Sequence, residues 1–186
     1  QTTTVHIGDV PIGSEHPVVI QSMTNTDTRD TEATLAQIRQ LASAGCQIVR
    51  VAVLDQQAAE ALRIICRDSP VPIVADIHFN HRLALLALDN GIKGLRINPG
   101  NIGGAANVAA VVEKAKAFGV PIRIGVNAGS LEKELLERYG HPTAEAMVES
   151  ALRHVDMLEK YHFEQIKISL KASDVPMMID AYRLIA

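Results

Sequence analysis

Charged and polar residues recur at alternate positions in several short aliphatic runs, and alternate residues of an extended chain share a face. Ile122–Asn127 puts Arg123, Gly125 and Asn127 together, and Leu95–Asn98 puts Arg96 beside Asn98. Ile166–Lys171 aligns Lys167, Ser169 and Lys171, Val74–His78 pairs Asp76 with His78, and Arg50 stands within Ile-Val-Arg-Val-Ala-Val. The opposite faces are aliphatic. Arg50, Arg96, Arg123, Lys167 and Lys171 thus confront a single strand carboxylate, Asp76. A buried cation without a partner is costly, and Arg does not shed its proton to escape the cost. The excess calls for an anionic ligand carrying more than one charge. Arg suits bidentate contact with phosphate oxygens, and Lys serves as a point charge. The competing reading makes the same residues structural ion pairs.

Other chemistry is open to these positions. His78, two residues after Asp76, is suited to proton transfer, or to a hydrogen bond at the rim of the fold. Lys167, if desolvated, could form a Schiff base with a carbonyl substrate, with Lys171 lowering its pKa. Asn98–Gly104 reads Asn-Pro-Gly-Asn-Ile-Gly-Gly, a loop whose backbone N–H groups could meet a phosphate. No His, Asp or Glu set has metal-ligand spacing, and no G-x-S-x-G, Walker A or dinucleotide fingerprint is present. Cys46 and Cys66 read as buried structural thiols without a disulfide framework.

The elements that must carry these residues follow from periodicity. Strands are expected at Val18–Ser22, Ile48–Val53, Ile73–Ile77, Gly94–Ile97, Ile122–Val126 and Gln165–Ser169. Between and after them, helices are expected at 31–44, 56–67, 81–90, 105–118, 143–161 and 174–186, with a short extra one at Ser130–Tyr139. Asp30, Asp55, Asn80, Thr143 and Ser173 stand where N-caps belong, and Gly45, Gly91, Gly119 and Gly140 where helices end. Leu35, Ile38, Leu41 and Ala42 form the apolar face of the first helix.

Strand followed by helix, repeated, requires parallel strands and right-handed crossovers. The first strand runs into Gln21-Ser22-Met23-Thr24-Asn25-Thr26 without a glycine, which argues against a doubly wound nucleotide fold. The expected class is α/β, a (β/α)8 TIM barrel. About six of its eight βα units are visible, so the chain reads as one truncated domain over 1–186. Thr4–Gly13 reads as a β-hairpin placed to plug the N-terminal mouth of the barrel.

Composition narrows the class further. With 47% hydrophobic but 3% aromatic residues in 186, the core must be aliphatic, as under Ala- and Leu-rich helices on β-branched strands. A net charge of −3 gives no general attraction to nucleic acid or to anionic membrane. No apolar run is long enough for a membrane span. A soluble protein is expected, cytoplasmic in a bacterium or resident in a plastid.

Five segments together resemble the 4-hydroxy-3-methylbut-2-enyl-diphosphate synthase family. They are Gln21–Thr26, Ala75-Asp76-Ile77-His78-Phe79, Leu95–Gly103, Ile122–Glu132 and Lys167–Asp174. The resemblance runs from the hairpin to the last helix. It implies an iron–sulfur oxidoreductase of the methylerythritol phosphate route to isoprenoids. That enzyme reductively opens 2-C-methyl-D-erythritol 2,4-cyclodiphosphate to 4-hydroxy-3-methylbut-2-enyl diphosphate. It also implies a [4Fe–4S] cluster held by three Cys and a Glu in a C-terminal domain that this chain lacks, ferredoxin or flavodoxin as electron donor, and a homodimer. By motif match, the diphosphate falls to Arg50, Arg96, Arg123 and Lys167, with Asn98, Asn127, Ser169 and Lys171 in support. Asp76 and His78 become candidates for catalysis or orientation. On this reading the chain by itself binds substrate but performs no reduction. The alternatives are a Schiff-base barrel lyase using Lys167, and a non-catalytic anion-binding fragment.

Overall fold

Most of the β-branched runs form strands and the capped amphipathic segments form helices in the computed structural model, which describes residues 2–186. A hairpin, β1 (Val5–Ile7) and β2 (Val10–Ile12), comes first, with Gly8 at φ +62° in its turn. Six parallel strands follow: β3 (Gln21–Met23), β4 (Ile48–Ala52), β5 (Ile73–Asp76), β6 (Gly94–Ile97), β7 (Ile122–Asn127) and β8 (Ile166–Lys171). They pair strictly in sequence order. A doubly wound sheet would reverse direction; unbroken order keeps every crossover on one side and curls the sheet into a half-barrel.

The helices are α1 (Thr31–Ser43), α2 (Gln56–Asp68), α3 (His81–Asp89), α4 (Ala105–Phe118), α5 (Lys133–Tyr139), α6 (Ala144–Glu159) and α7 (Val175–Ile185). Asp30, Asp55, Asn80 and Thr143 cap their helices through side-chain oxygens. Gly45, Gly91, Gly119 and Gly140 all take positive φ where helices end. The outward strand residues Val49, Val51, Ile73, Leu95, Ile97, Ile122 and Ile124 are buried against Ile38, Leu62, Ile65, Leu88, Val111 and Met147 of the helices. Each such side chain contributes about 1.5–3 kcal/mol by leaving water. This outer core holds the sheet, and leaves the inner face free to carry charge.

The hairpin lies where expected. Ile7 is buried with Ile48 and Val74, inward-facing residues near the N-terminal ends of β4 and β5, and a Cβ on Gly94 would stand 3.4 Å from Ile7 Cδ1.

Two expectations are corrected. The first strand covers Gln21–Met23, not Val18–Ser22, because pairing starts at Gln21↔Ile48 and β4 has nothing to offer residues further back. Ile20 is held by Gln47 alone through its N–H and Oε1, and Val18 is 94% exposed. Asp174, not Ser173, caps the last helix, its carboxylate accepting from Met177 N–H at 2.9 Å. Leu41 and Ala42 are half-buried, completing the face led by Leu35 and Ile38. Among the described residues no helix is long and apolar enough to cross a membrane.

Candidate anion-binding site

Register sets one row of inward side chains across the sheet: Ala52, Asp76, Arg96, Arg123 and Lys167 are successive partners on β4 to β8. Arg50 stands one step nearer the N-terminal end of β4, with Met23 beside it on β3. Asp76, 5% exposed, is the hub. Its Oδ1 takes Arg96 Nη1 at 3.2 Å and its Oδ2 faces Arg50 Nε at 3.5 Å. Arg50 Nε also reaches Met23 Sδ at 3.2 Å. One carboxylate therefore fixes two guanidinium groups without neutralising both.

His78 stands half-exposed just past β5. Arg96 Nη1 approaches its Nδ1 at 3.4 Å, and a guanidinium can only donate, so the ring proton belongs on Nε2. That nitrogen faces Asp76 Oδ1 at 3.7 Å.

Glycine at 125 makes room for this arrangement. A Cβ there would lie 2.6 Å from Arg96 Nη2 and 3.0 Å from its Cζ. Arg96 therefore lies across β7, flat against the strand.

The side chains of Arg123 and Lys167 make no hydrogen bond or ion pair among the described residues. Burial, then the neighbouring Arg50 and Arg96, pulls the Arg123 guanidinium below its usual pKa. Burial, then Arg123, brings the Lys167 amine down to about 8. Lys171 is not among the causes, contrary to the expectation that the two lysines depress one another. Both Arg123 and Lys167 open into a cavity of about 470 Å³ that continues past Gln21 and Ile48 to the hairpin.

The supporting residues divide. Asn98 Oδ1 accepts from Gly100 N–H at 3.0 Å, which shapes the 3₁₀ turn Pro99–Asn101 and leaves its Nδ2 free. Ser169 donates to the Ile124 carbonyl at 3.4 Å. Asn127 and Lys171, partners across β7 and β8, line a second cavity of about 470 Å³ at the C-terminal strand ends. The predicted residues thus share one concave face, without surrounding one closed pocket.

A buried polar group lies behind that face. His154 of α6 is 3% exposed, its Nε2 3.4 Å from Glu132 Oε1, and Ser150 Oγ donates to the same oxygen at 3.0 Å. Burial lowers the His154 pKa, Glu132 raises it and Arg153 lowers it again. Reading the sequence alone set His154 aside. The available signal was a polar residue on the apolar face of α6, in line with Met147, Ser150, Ala151 and Leu158.

The two cysteines do not suit an iron–sulfur cluster. Both are half-buried rather than buried. Burial pushes the Cys66 thiol up to about 12, away from the thiolate a metal needs. Among the described residues no three His, Cys, Asp or Glu side chains gather as a metal site requires.

Relatives agree with this architecture. The chain is 63% identical over its whole length to 4-hydroxy-3-methylbut-2-en-1-yl diphosphate synthase (flavodoxin) of Geobacter sulfurreducens, covering 53% of that protein. It is 59% identical to the protein of the same name from Magnetococcus marinus, again over its whole length, covering 50% of it. The chain therefore spans about half the length of the curated relatives it matches. In fold it resembles 7,8-dihydropteroate synthase from Vibrio fischeri, with TM-score 0.65 at 11% identity over 98% of this chain and 72% of that one. A truncated 3-deoxy-D-arabino-heptulosonate 7-phosphate synthase from Thermotoga maritima superposes with the same score at 16% identity, over 98% of this chain and 64% of that one. With its six-stranded half-barrel, its hairpin and a family model matching residues 2–186, the chain belongs to the GcpE TIM-barrel domain family.

Proposed function

We propose that this chain is the substrate-binding barrel part of a 4-hydroxy-3-methylbut-2-en-1-yl diphosphate synthase. It would hold 2-C-methyl-D-erythritol 2,4-cyclodiphosphate by its diphosphate and serve isoprenoid biosynthesis in a bacterial cytoplasm. One observation carries the reading: Arg123 and Lys167 face inward without a side-chain ion pair among the described residues, beside two arginines that share one carboxylate. A diphosphate supplies the missing charge. Arg50 and Arg96 are oriented before substrate arrives, so little side-chain freedom is lost on binding. Arg123 and Lys167 gain a counter-ion, while Asn98 Nδ2, Asn127, Ser169 and Lys171 add polar contacts. Asp76 positions the arginines, and His78 Nε2–H stands ready as a donor at the rim. The reduction is assigned to a C-terminal iron–sulfur domain outside this chain, supplied by flavodoxin or ferredoxin in a homodimer. The printed name of the relatives supports flavodoxin as donor, and their greater length leaves room for a further domain.

The test is calorimetric titration of the full-length protein with the cyclodiphosphate. Arg96→Ala and Arg123→Ala should each weaken binding by about 1.5–3 kcal/mol, the scale of a charge-assisted hydrogen bond. Unchanged affinity in both would mean that the inner arginines are structural. A second reading, a Schiff-base lyase, draws support from the Lys167 amine at about 8. Borohydride trapping with a carbonyl substrate separates the two, since a Schiff base leaves a permanent mass increase on Lys167.

A further inference from the structure

We propose that His154 and Glu132 are positioning residues for the anion site, holding from the helix layer the loop that carries Asn98 and the turn that follows Asn127. The inference rests on the reading of the inner face as a diphosphate site.

Glu132 closes the turn that follows β7. Its carbonyl accepts from Leu135 N–H at 3.0 Å and Leu136 N–H at 3.1 Å, starting α5. Its carboxylate turns instead to α6. There Oε1 meets Ser150 Oγ at 3.0 Å and His154 Nε2 at 3.4 Å, residues one helical turn apart. The loop after Asn127 is thereby tied to α6 at two points.

The same Nε2 edge of the imidazole meets the loop after β6. A Cβ on Gly100 would lie 2.8 Å from His154 Nε2 and 3.6 Å from its Cδ2. Gly100 is the residue whose N–H orients the Asn98 side chain. A continuous line of contacts thus runs from the β7 loop through Glu132, His154 and Gly100 to Asn98.

Packing alone does not explain this choice of residues. His154 Nδ1 and Glu132 Oε2 are buried without a hydrogen-bond partner among the described residues. Unpaired buried polar atoms destabilise a fold, and Met147 and Leu158 fill the same helix face without that cost. Departures from local rules of this kind collect where a site must be held in place. The Nε2–Oε1 contact at 3.4 Å, with Gly100 packed against the same nitrogen, gives both loops a common anchor that an apolar side chain would not supply.

Steady-state kinetics of the full-length protein with the cyclodiphosphate, alongside calorimetry with inorganic diphosphate, test the assignment. His154→Leu should raise KM and the diphosphate Kd about tenfold with kcat little changed, as loss of one buried positioning contact implies. His154→Gln keeps a donor near the Nε2 position and should restore most of the affinity. Gly100→Ala sets a methyl 2.8 Å from His154 Nε2, so the loop or the imidazole must shift, and it should also raise KM. Combined with His154→Ala, which opens space, its effect should be smaller than the product of the two single effects. Unaltered KM and Kd in His154→Leu and Gly100→Ala would overturn the inference. So would losses that follow melting temperature alone, with no rescue by Gln. Wild-type protein that binds diphosphate but does not turn over would sink the proposed reaction, while the Kd series would still decide the role of His154.

Discussion

Lys167 concentrates the electrostatic argument at the scale of one residue. Its amine sits at about 8 in the folded chain against an ordinary 10.5, because burial and Arg123 both disfavour its charge. Between those values the unfolded chain binds the proton and the folded chain does not. Stability from this residue therefore increases as pH rises from about 8 towards 10.5. Anion binding moves the other way, since the charged amine is what meets phosphate. Diphosphate affinity should fall as pH rises through about 8, and Lys167→Arg should flatten that fall. Calorimetry on either side of that pH decides it: an equal pH dependence in both proteins would remove Lys167 from the site. Arg123 makes the companion case. Burial and the like charges of Arg50 and Arg96 outweigh the attraction of Asp76 and Tyr182 at its guanidinium, so Arg123→Met should leave the unliganded protein as stable as before, or more stable by up to about 1 kcal/mol. Urea melts with and without diphosphate check this: the ligand's stabilising effect should shrink in the variant. A large loss of stability in its absence would make Arg123 structural.

Strands and the register between them decide which charges meet. Asp76 reaches both Arg50 and Arg96 because β5 lies between β4 and β6, a neighbourhood that no sequence spacing reveals by itself. Arg96 lies flat because β7 carries Gly125 under it. Gly125→Ala should displace the guanidinium from Asp76 and weaken diphosphate binding about tenfold, with a small effect on folding, since the atoms displaced end a flexible side chain. Calorimetry and a thermal melt together read both quantities; wild-type affinity would show that Arg96 finds an equivalent pose. Helix ends were legible in the sequence because capping is local chemistry. Asp55 needs only Ala58 N–H three residues on. Residues 18–20 were misread for the opposite reason. Their aliphatic pattern suits a strand, but a strand also needs a partner, and pairing begins only at Gln21.

At the scale of the whole molecule the half-barrel leaves β3 and β8 each paired on one side. Val18 and Ile20, at 94% and 56% exposed, border one free edge, while Val175, Ile179, Tyr182 and Leu184 leave apolar surface on α7 beside the other. Unpaired strand edges flanked by apolar residues recruit further chains. The 186-residue chain expressed by itself should therefore self-associate, and light scattering should give a mass above 20.1 kDa. A clean monomer would show that these edges are inert.

Alternation of residue types by itself determined the strand–helix rhythm, the inward face and its excess of cations, because each depends on residues a few positions apart. The five motif segments likewise pointed to the family without any coordinates. Tertiary structure alone decided how that charge is shared: Asp76 holds two arginines and leaves Arg123 and Lys167 exposed to one another. It alone disclosed His154, whose importance lies in Glu132 and Gly100 rather than in its neighbours along the chain. Ion pairing and burial depend on distances between strands and layers, and those distances exist only once the sheet has curled and the helices have packed against it.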